Sequence, residues 1–385
     1  MSNPNLPAQL LRVLKPQTAA MVETLRRLVR AESPSLEKAP EDRCCRVLAR
    51  EWRRRGAKVE IVPQKHRGDH LRIVWEPRGR GAQGQLLVLG HYDTVYASGT
   101  LAKMPFRVRG GKAYGPGTFD MKGGLVQALF AVDALQAMNI SPRKRIVFLW
   151  TSDEEIGSDT SRKLIEQEAR RSDAVFVLEP SLGPKGMLKT SRKAVGEAEL
   201  IFHGRASHAG LAPQEGVNAV HELARQIARI ERWNDLRRGI SVNADIVEGG
   251  SRVNVIAERA RAVLDLRALT IADMRRVEKQ LHALRPILCG AKIEVRGGFN
   301  RAPLERKMSS VLFARAKSLA AQMGLSLGEC TAGGGSDGNL TAALGISTLD
   351  GLGAVGNGAH GANEYILLRA MPERAALLAA LFASS

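Results

Sequence analysis

The chain has 385 residues, 44% of them hydrophobic, and a formal net charge of +18. That length exceeds one small core and that apolar fraction is ordinary for a globular protein, so two domains are expected. No run of about 18 apolar residues is present to form a transmembrane helix, and residues 1–17 lack the apolar stretch of a signal peptide. The expected location is therefore the cytoplasm, or the periplasm if a leader has been removed.

Aromatic residues make up 4%, which leaves few platforms for stacking bases. Basic clusters such as Arg53-Arg54-Arg55 fall on expected helix faces, so the charge reads as a solvated basic surface. The cysteines, Cys44, Cys45, Cys289 and Cys330, show no CxxC spacing and are expected to be free, buried thiols.

Residues 18–31 carry apolar side chains at helical spacing, and Ser33-Pro34-Ser35 ends the pattern. Residues 38–56 form a second amphipathic helix pattern, closed by Gly56. Short β-type runs follow at 58–63, 71–75, 86–90 and 146–150, with a helical pattern at 124–138 between the last two. Helix 161–171 and strand 174–178 come next. Strands alternating with helices predict an α/β fold with a mixed, largely parallel sheet flanked by helices. Residues 193–300 differ: strand patterns at 196–203, 240–248, 259–267 and 292–296 enclose helices at 218–233 and 271–284. This β-α-β-β-α-β order predicts an α+β domain of ferredoxin-like type. It is expected as an insertion, residues 193–300, in a discontinuous domain of residues 1–192 and 301–385. The reason is that a candidate ligand, His360, lies beyond it. The glycine-rich run 333–338 predicts a tight loop before a helix.

Five segments carry metal-type donors. They are His91 in His91-Tyr92-Asp93, Asp120 in GPGTFDMKGG (115–124), the pair Glu154-Glu155, Glu179 in Leu178-Glu179-Pro180, and His360 in Gly358-Ala359-His360. His91, the glutamate pair and Glu179 each follow an apolar strand run, and sites in open α/β sheets gather outside the carboxyl ends of strands. Singly, several have plainer readings: Asp120 as a helix N-cap, the glutamate pair as a solvated acidic turn. Together, two imidazoles and three carboxylates suit a pair of borderline-hard divalent cations such as Zn²⁺, with Co²⁺ or Mn²⁺ also suited. One of the glutamate pair is then left over as a base, which points to a two-metal hydrolase. Asp93 falls on the same side of an extended segment as His91, placed to hold that ring's second nitrogen.

The motifs GHYDTVY (90–96), AYGPGTFDMKGG (113–124), TSDEEIGS (151–158), LEPS (178–181), GRASHAG (204–210), GGGSDGN (333–339) and GLGAVGNGAHGANE (351–364) occur in that order. With them the chain resembles, over nearly its whole length, the dinuclear zinc metallopeptidase family. That family includes glutamate carboxypeptidase, acetylornithine deacetylase, succinyl-diaminopimelate desuccinylase and aminoacylase, and the likeness is strongest to the carboxypeptidase G type. The resemblance implies two zinc ions bridged by Asp120, with His91 and Glu179 completing one site and Glu155 and His360 the other. Glu154 is then the general base and acid, Asp93 orients His91, and the Asp120–Met121 bond is expected to be cis. The inserted domain is implied to form a homodimer in which His208 reaches the partner's active site and polarises the scissile carbonyl. Asn254 and Arg267, with Arg301 as a third member, match positions that bind a substrate carboxylate.

The implied reaction is hydrolysis of an amide bond that releases a C-terminal amino acid, glutamate among them, from an N-acyl or folate-like small molecule or short peptide. The alternatives are an N-acyl amino acid deacylase, of the aminoacylase or acetylornithine deacetylase kind, and a dipeptidase. No nucleic-acid or membrane partner is expected. Two departures bear on the substrate: Ala257 stands where relatives often have proline, and residues 185–193 differ from glutamate-specific relatives.

Overall fold

The computed structural model describes residues 5–76 and 81–385. In chain order, the elements begin with α1 (Leu6–Leu14), α2 (Thr18–Arg30) and α3 (Lys38–Arg54). Strands β1 (Lys58–Val62), β2 (His70–Trp75) and β3 (Gln85–His91) follow, then α4 (Gly123–Ala137), β4 (Arg145–Thr151), α5 (Arg162–Ala169) and β5 (Ala174–Val177). Next come β6 (Ala194–His203), α6 (Ala219–Glu231), β7 (Ser241–Gly249), β8 (Arg259–Ala268), α7 (Ile271–His282) and β9 (Lys292–Arg301). The chain closes with α8 (Ser310–Gln322), α9 (Asp337–Ala343), β10 (Thr348–Leu349) and α10 (Ala370–Ser384).

Two compact units divide these elements. One comprises Ser191–Glu305 with Ala332–Gly335, and the other holds the remainder, including Arg306–Thr331 and Ser336–Ser385. The larger unit contains a six-stranded sheet in the order β1-β2-β4-β3-β5-β10. The β1–β2 and β2–β4 pairs are antiparallel; β4–β3, β3–β5 and β5–β10 are parallel. The expected mixed, largely parallel α/β sheet is what forms. Every residue of β3 is buried, as a central strand covered on both faces requires. Trp52 of α3 packs on Phe148 of β4 with ring centroids 4.2 Å apart, and Phe148 lies 5.5 Å from Trp150. Such pairs add roughly 0.5–1.5 kcal/mol beyond their burial.

Among the described residues, helices α1, α8 and α10 and the short helix Thr100–Lys103 are additional to those expected from the pattern. Helix α10 is buried on nearly every side, so it shows no apolar stripe for a periodicity argument to find. A small antiparallel sheet is also additional: Gly356–Asn357 pairs with Tyr365–Leu367, which pairs with Lys112–Tyr114, which pairs with Arg107–Arg109. Its strands are two or three residues long, too short for a period-two signal. It ties the segment around His360 to the chain just before Asp120.

The smaller unit has the β-α-β-β-α-β order and a four-stranded antiparallel sheet in the order β7-β8-β6-β9. Alternate residues of its central strands, such as Ala198, Leu200, Phe202, Ala262 and Leu264, form the core with Leu223 of α6 and Val277 of α7. The other face carries an ion-pair lattice in which Arg261 meets Glu199 and Glu248, and Arg296 meets Glu294. All four cysteines are free, but only Cys44 and Cys45 are buried; Cys289 is exposed and Cys330 half-buried. The expectation of uniformly buried thiols is corrected there, because Cys289 sits in the exposed connection between α7 and β9. Among the described residues no helix is long and apolar enough to cross a membrane.

Candidate metal centre

Parallel pairing puts three of the candidate donors at one edge of the sheet. His91 ends β3 opposite Thr151 of β4, and Leu89 of β3 is level with Val177 of β5. The strands therefore stop together, and the residues just after them, Glu154-Glu155 and Glu179, emerge where His91 does. Glu154–Ile156 turns in a single 3-10 turn, so the adjacent carboxylates leave the backbone in different directions.

Asp120 and His360 come from loops. The Asp120–Met121 peptide bond is cis, as the resemblance implies. Asp120 does not cap α4, whose N-cap residue is Lys122 without a side-chain bond. Its loop is held by Glu364, whose buried carboxylate accepts the backbone N–H groups of Gly117, Phe119 and Asp120 at 2.8, 2.7 and 2.9 Å. Burial pushes the Glu364 carboxyl up to about 7 against those three donors. His360 has a left-handed backbone (φ 62°), and its loop is fastened by Tyr96, whose hydroxyl donates to the Gly361 carbonyl at 3.0 Å.

Two donor groups result, His91–Asp120–Glu179 and Asp120–Glu155–His360, each with donor atoms within 4.8 Å of one another. His91 Nε2 lies 3.4 Å from both Asp120 Oδ1 and Glu179 Oε1. His360 Nε2 lies 3.5 Å from Asp120 Oδ2 and 3.2 Å from Glu155 Oε2. Each oxygen of Asp120 thus faces a different imidazole, so the carboxylate stands between the two groups. The His91 side chain is 1% exposed and the His360 side chain 52%, so the second group is the one open to solvent. Asp120 Oδ1 and Glu155 Oε1 are buried oxygens that accept no hydrogen bond among the described residues. Buried, unsatisfied carboxylate oxygens are costly unless something positive meets them. With imidazole nitrogens beside them, the donor set fits divalent cations.

Electrostatics point the same way. Burial lowers the His91 imidazole, but the carboxylates of Asp120, Asp93 and Glu179 beside it outweigh that and hold the ring well above its usual value. Hydrogen bonds to Asp120 and Glu155 push His360 up to about 10. Burial raises Glu155, while the two imidazoles hold Asp120 well below the usual carboxylate range despite its burial.

Asp93 supports the cluster from beneath. Its Oδ1 is 3.3 Å from His91 Nδ1, and it accepts Ser35 Oγ at 2.8 Å and the N–H groups of Glu154 and Glu155 at 3.3 and 3.2 Å. Gly124 and Gly353 let the backbone close around Glu179: a Cβ at either would stand 2.4 or 2.0 Å from the Leu178 carbonyl oxygen. Lys189 Nζ lies 3.9 Å from Glu179 Oε2. Sequence reasoning missed the parts of Glu364, Lys189 and Ser35. Glu364 closes the motif that contains His360, and its invisible partners are backbone N–H groups some 245 residues away.

The remaining candidates, His208, Asn254, Arg267 and Arg301, all belong to the smaller unit. His208 is exposed, and its Nδ1 accepts the N–H groups of Gly210 and Leu211 at 3.1 Å each, which leaves Nε2 as the ring's donor. Asn254 is its neighbour: His208 bridges to Val255, and the Asn254 carbonyl accepts the Ala209 N–H at 2.9 Å. Arg267 and Arg301 both register against Val195, from either side of β6, and so occupy one row across the sheet. The Arg267 guanidinium holds Asp265 through Nε and Nη2 at 2.7 to 3.0 Å.

Imidazoles and carboxylates gather at the carboxyl ends of a largely parallel sheet, with one carboxylate shared between two groups that could each hold a cation. Residues 87–384 match Peptidase family M20/M25/M40, and the chain belongs to that family. It is 34% identical over 317 residues to carboxypeptidase G2 of Pseudomonas sp. (strain RS-16), covering 80% of this chain and 75% of that one. It is 29% identical over 348 residues to succinyl-diaminopimelate desuccinylase of Ectopseudomonas mendocina (strain ymp), covering 85% and 89%. Its fold is similar to the crystal structure of aminopeptidase PepT from Bacillus cereus ATCC 10987, with a TM-score of 0.77, 22% identity, and 95% and 98% of the two chains covered.

Proposed function

We propose that the chain binds two divalent cations, zinc by preference with cobalt or manganese as substitutes, and hydrolyses an amide bond to release a C-terminal amino acid from an N-acyl or folate-like substrate. The observation that carries the metal reading is Asp120, whose two oxygens face His91 and His360 separately. His91, Asp120 and Glu179 would hold one cation, and Asp120, Glu155 and His360 the other. A cation pair supplies Lewis acidity towards a carbonyl and makes water a stronger acid.

Glu154 serves as the base that takes a proton from water and as the acid that returns it to the leaving nitrogen. Its N–H is fixed on Asp93, so its backbone is held to the same frame as the donors. His208, with Nε2 as donor, suits hydrogen bonding to a developing oxyanion. We assign that step to the partner subunit's active site, with the smaller unit forming the homodimer. Asn254, Arg267 and Arg301 take the carboxylate of the leaving amino acid. Because Arg267 already holds Asp265, it offers that carboxylate only its remaining N–H groups.

The carboxypeptidase G2 likeness supports glutamate as the leaving group. Matched N-acyl substrates differing only in the C-terminal residue test this: glutamate should be released with the highest kcat/KM, and a flat profile overturns it. The desuccinylase likeness favours a second reading, an N-acyl amino acid deacylase, in which the acyl group rather than the leaving amino acid sets the rate. The same panel, varied at the acyl group, decides between them. Mixing His208→Ala with Glu154→Ala protein tests the role in trans: activity recovered in heterodimers supports it, and none recovered counts against it.

A further inference from the structure

The face built by α2 and α3 carries a groove that the catalytic reading leaves unused. On α3, Arg43, Arg46, Arg50 and Arg53 recur at helical spacing and so share one side of the helix, in a row about 15 Å long at roughly 1.5 Å per residue. Arg27 and Arg30 join them from α2, and the six line one open groove of about 630 Å³. Arg27 is committed to Glu51 at 3.1 Å, and Glu51 also meets Arg54 and Arg55 at 3.2 and 3.0 Å. The other five guanidinium groups are exposed and form no ion pair among the described residues, and residues 1–4 and 77–80 contain no acidic residue that could supply one.

Basic composition alone does not account for this. In the smaller unit, by contrast, three arginines of the sheet face stand beside carboxylates, Arg261 by Glu199 and Glu248, Arg267 by Asp265, and Arg296 by Glu294. Along α3, like charges stand one turn apart, where they repel. A row of uncompensated guanidinium forks suits an anion with several charges in a row, and the planar fork meets phosphate oxygens two at a time. The groove has the volume of a small-molecule site. Its lining holds no aromatic side chain, so it offers a nucleobase nothing to stack on. We propose that the α2–α3 groove binds a small linear polyphosphate of the inorganic triphosphate class.

The test is calorimetric titration of sodium tripolyphosphate into the intact protein at low and moderate salt. Saturable one-to-one binding that weakens as salt rises is expected. A variant with Arg43→Gln, Arg46→Gln, Arg50→Gln and Arg53→Gln should bind at least tenfold more weakly. A second variant, with Arg225→Gln, Arg232→Gln, Arg275→Gln and Arg276→Gln, loses the same four charges elsewhere and should stay within threefold of the unaltered protein. Any extraction of metal by the anion is common to all three proteins. If the first variant does not fold, Arg46→Glu alone, in the middle of the row, should show the tenfold loss. Absence of saturable binding overturns the proposal, as does equal weakening in both fourfold variants, which would make net charge the cause. Tighter binding of an oligothymidylate with the same number of phosphates also overturns it, in favour of a nucleic-acid site.

Discussion

Asp93 lies beneath His91 and joins it to the glutamate pair: one carboxylate meets the imidazole Nδ1 at 3.3 Å and the N–H groups of Glu154 and Glu155 at 3.3 and 3.2 Å. A single side chain therefore fixes the ring of one donor and the turn that presents another. Replacing Asp93 by Ala should lower divalent-metal affinity by about 10- to 100-fold, the usual effect of losing a partner of a ligating histidine. Competition with a chelator of known affinity measures this, and unchanged affinity would remove Asp93 from the site.

Glu154→Gln separates binding from chemistry. Metal content by elemental analysis should match the unaltered protein, while kcat falls by about 10²-fold or more. Near-normal turnover in that variant would show that another group moves the proton.

Metal uptake should release protons. His360 is held up to about 10 by Asp120 and Glu155, so below that pH its ring is protonated in the metal-free protein. A cation has to displace that proton to use the ring, and apparent affinity should rise with pH, by up to about tenfold per unit for each proton displaced, levelling off near 10. Calorimetry of metal binding in buffers of different ionisation enthalpy reads the proton count; a count of zero contradicts the assignment of His360.

Gly353→Ala tests the backbone approach at Glu179. The new methyl group would stand 2.0 Å from the Leu178 carbonyl oxygen, so that segment must move. Loss of about 1–3 kcal/mol of stability is expected from the overpacking, together with weakened metal binding. A variant as stable and as metal-retentive as the unaltered protein would mean that Glu179 does not depend on this contact.

Glu41 gives a pH dependence away from the donors. Its carboxylate is buried, accepts the Gly68 N–H at 2.6 Å, and is pushed up to about 9 by burial and then by the charge of Asp93. The folded protein therefore holds a proton there that the unfolded chain loses near its ordinary value of 4.5. The stability this contributes is complete below that value and is lost as pH rises towards 9. Melting temperature should fall across this window, and Glu41→Gln should flatten the fall. An identical slope in the variant assigns the dependence to other groups.

Much of the larger unit was legible. The runs 86–90, 146–150 and 174–178 are uniformly apolar because parallel strands covered on both faces bury every side chain, and all three form strands. The β-α-β-β-α-β order of the smaller unit was legible because its strands alternate and its helices carry apolar stripes. Helix α10 escaped because burial on all sides erases periodicity, and the small sheet around His360 escaped because its strands are only two or three residues long.

For the site, the sequence by itself determined the inventory: which side chains have the chemistry of donors, and that three of them stand just after buried strands. Their order even gave the expected ligand set through its resemblance to a family. Only the tertiary structure decided that Asp120 turns one oxygen to His91 and the other to His360, that Glu364 holds Asp120's loop across 244 residues of chain, and that five arginines of α2 and α3 line one groove with no ion-pair partner among the described residues. The physical reason is that residue type and local periodicity are properties of neighbours along the chain. The satisfaction of a buried oxygen or of an exposed charge depends on which distant groups the fold brings within a few ångströms.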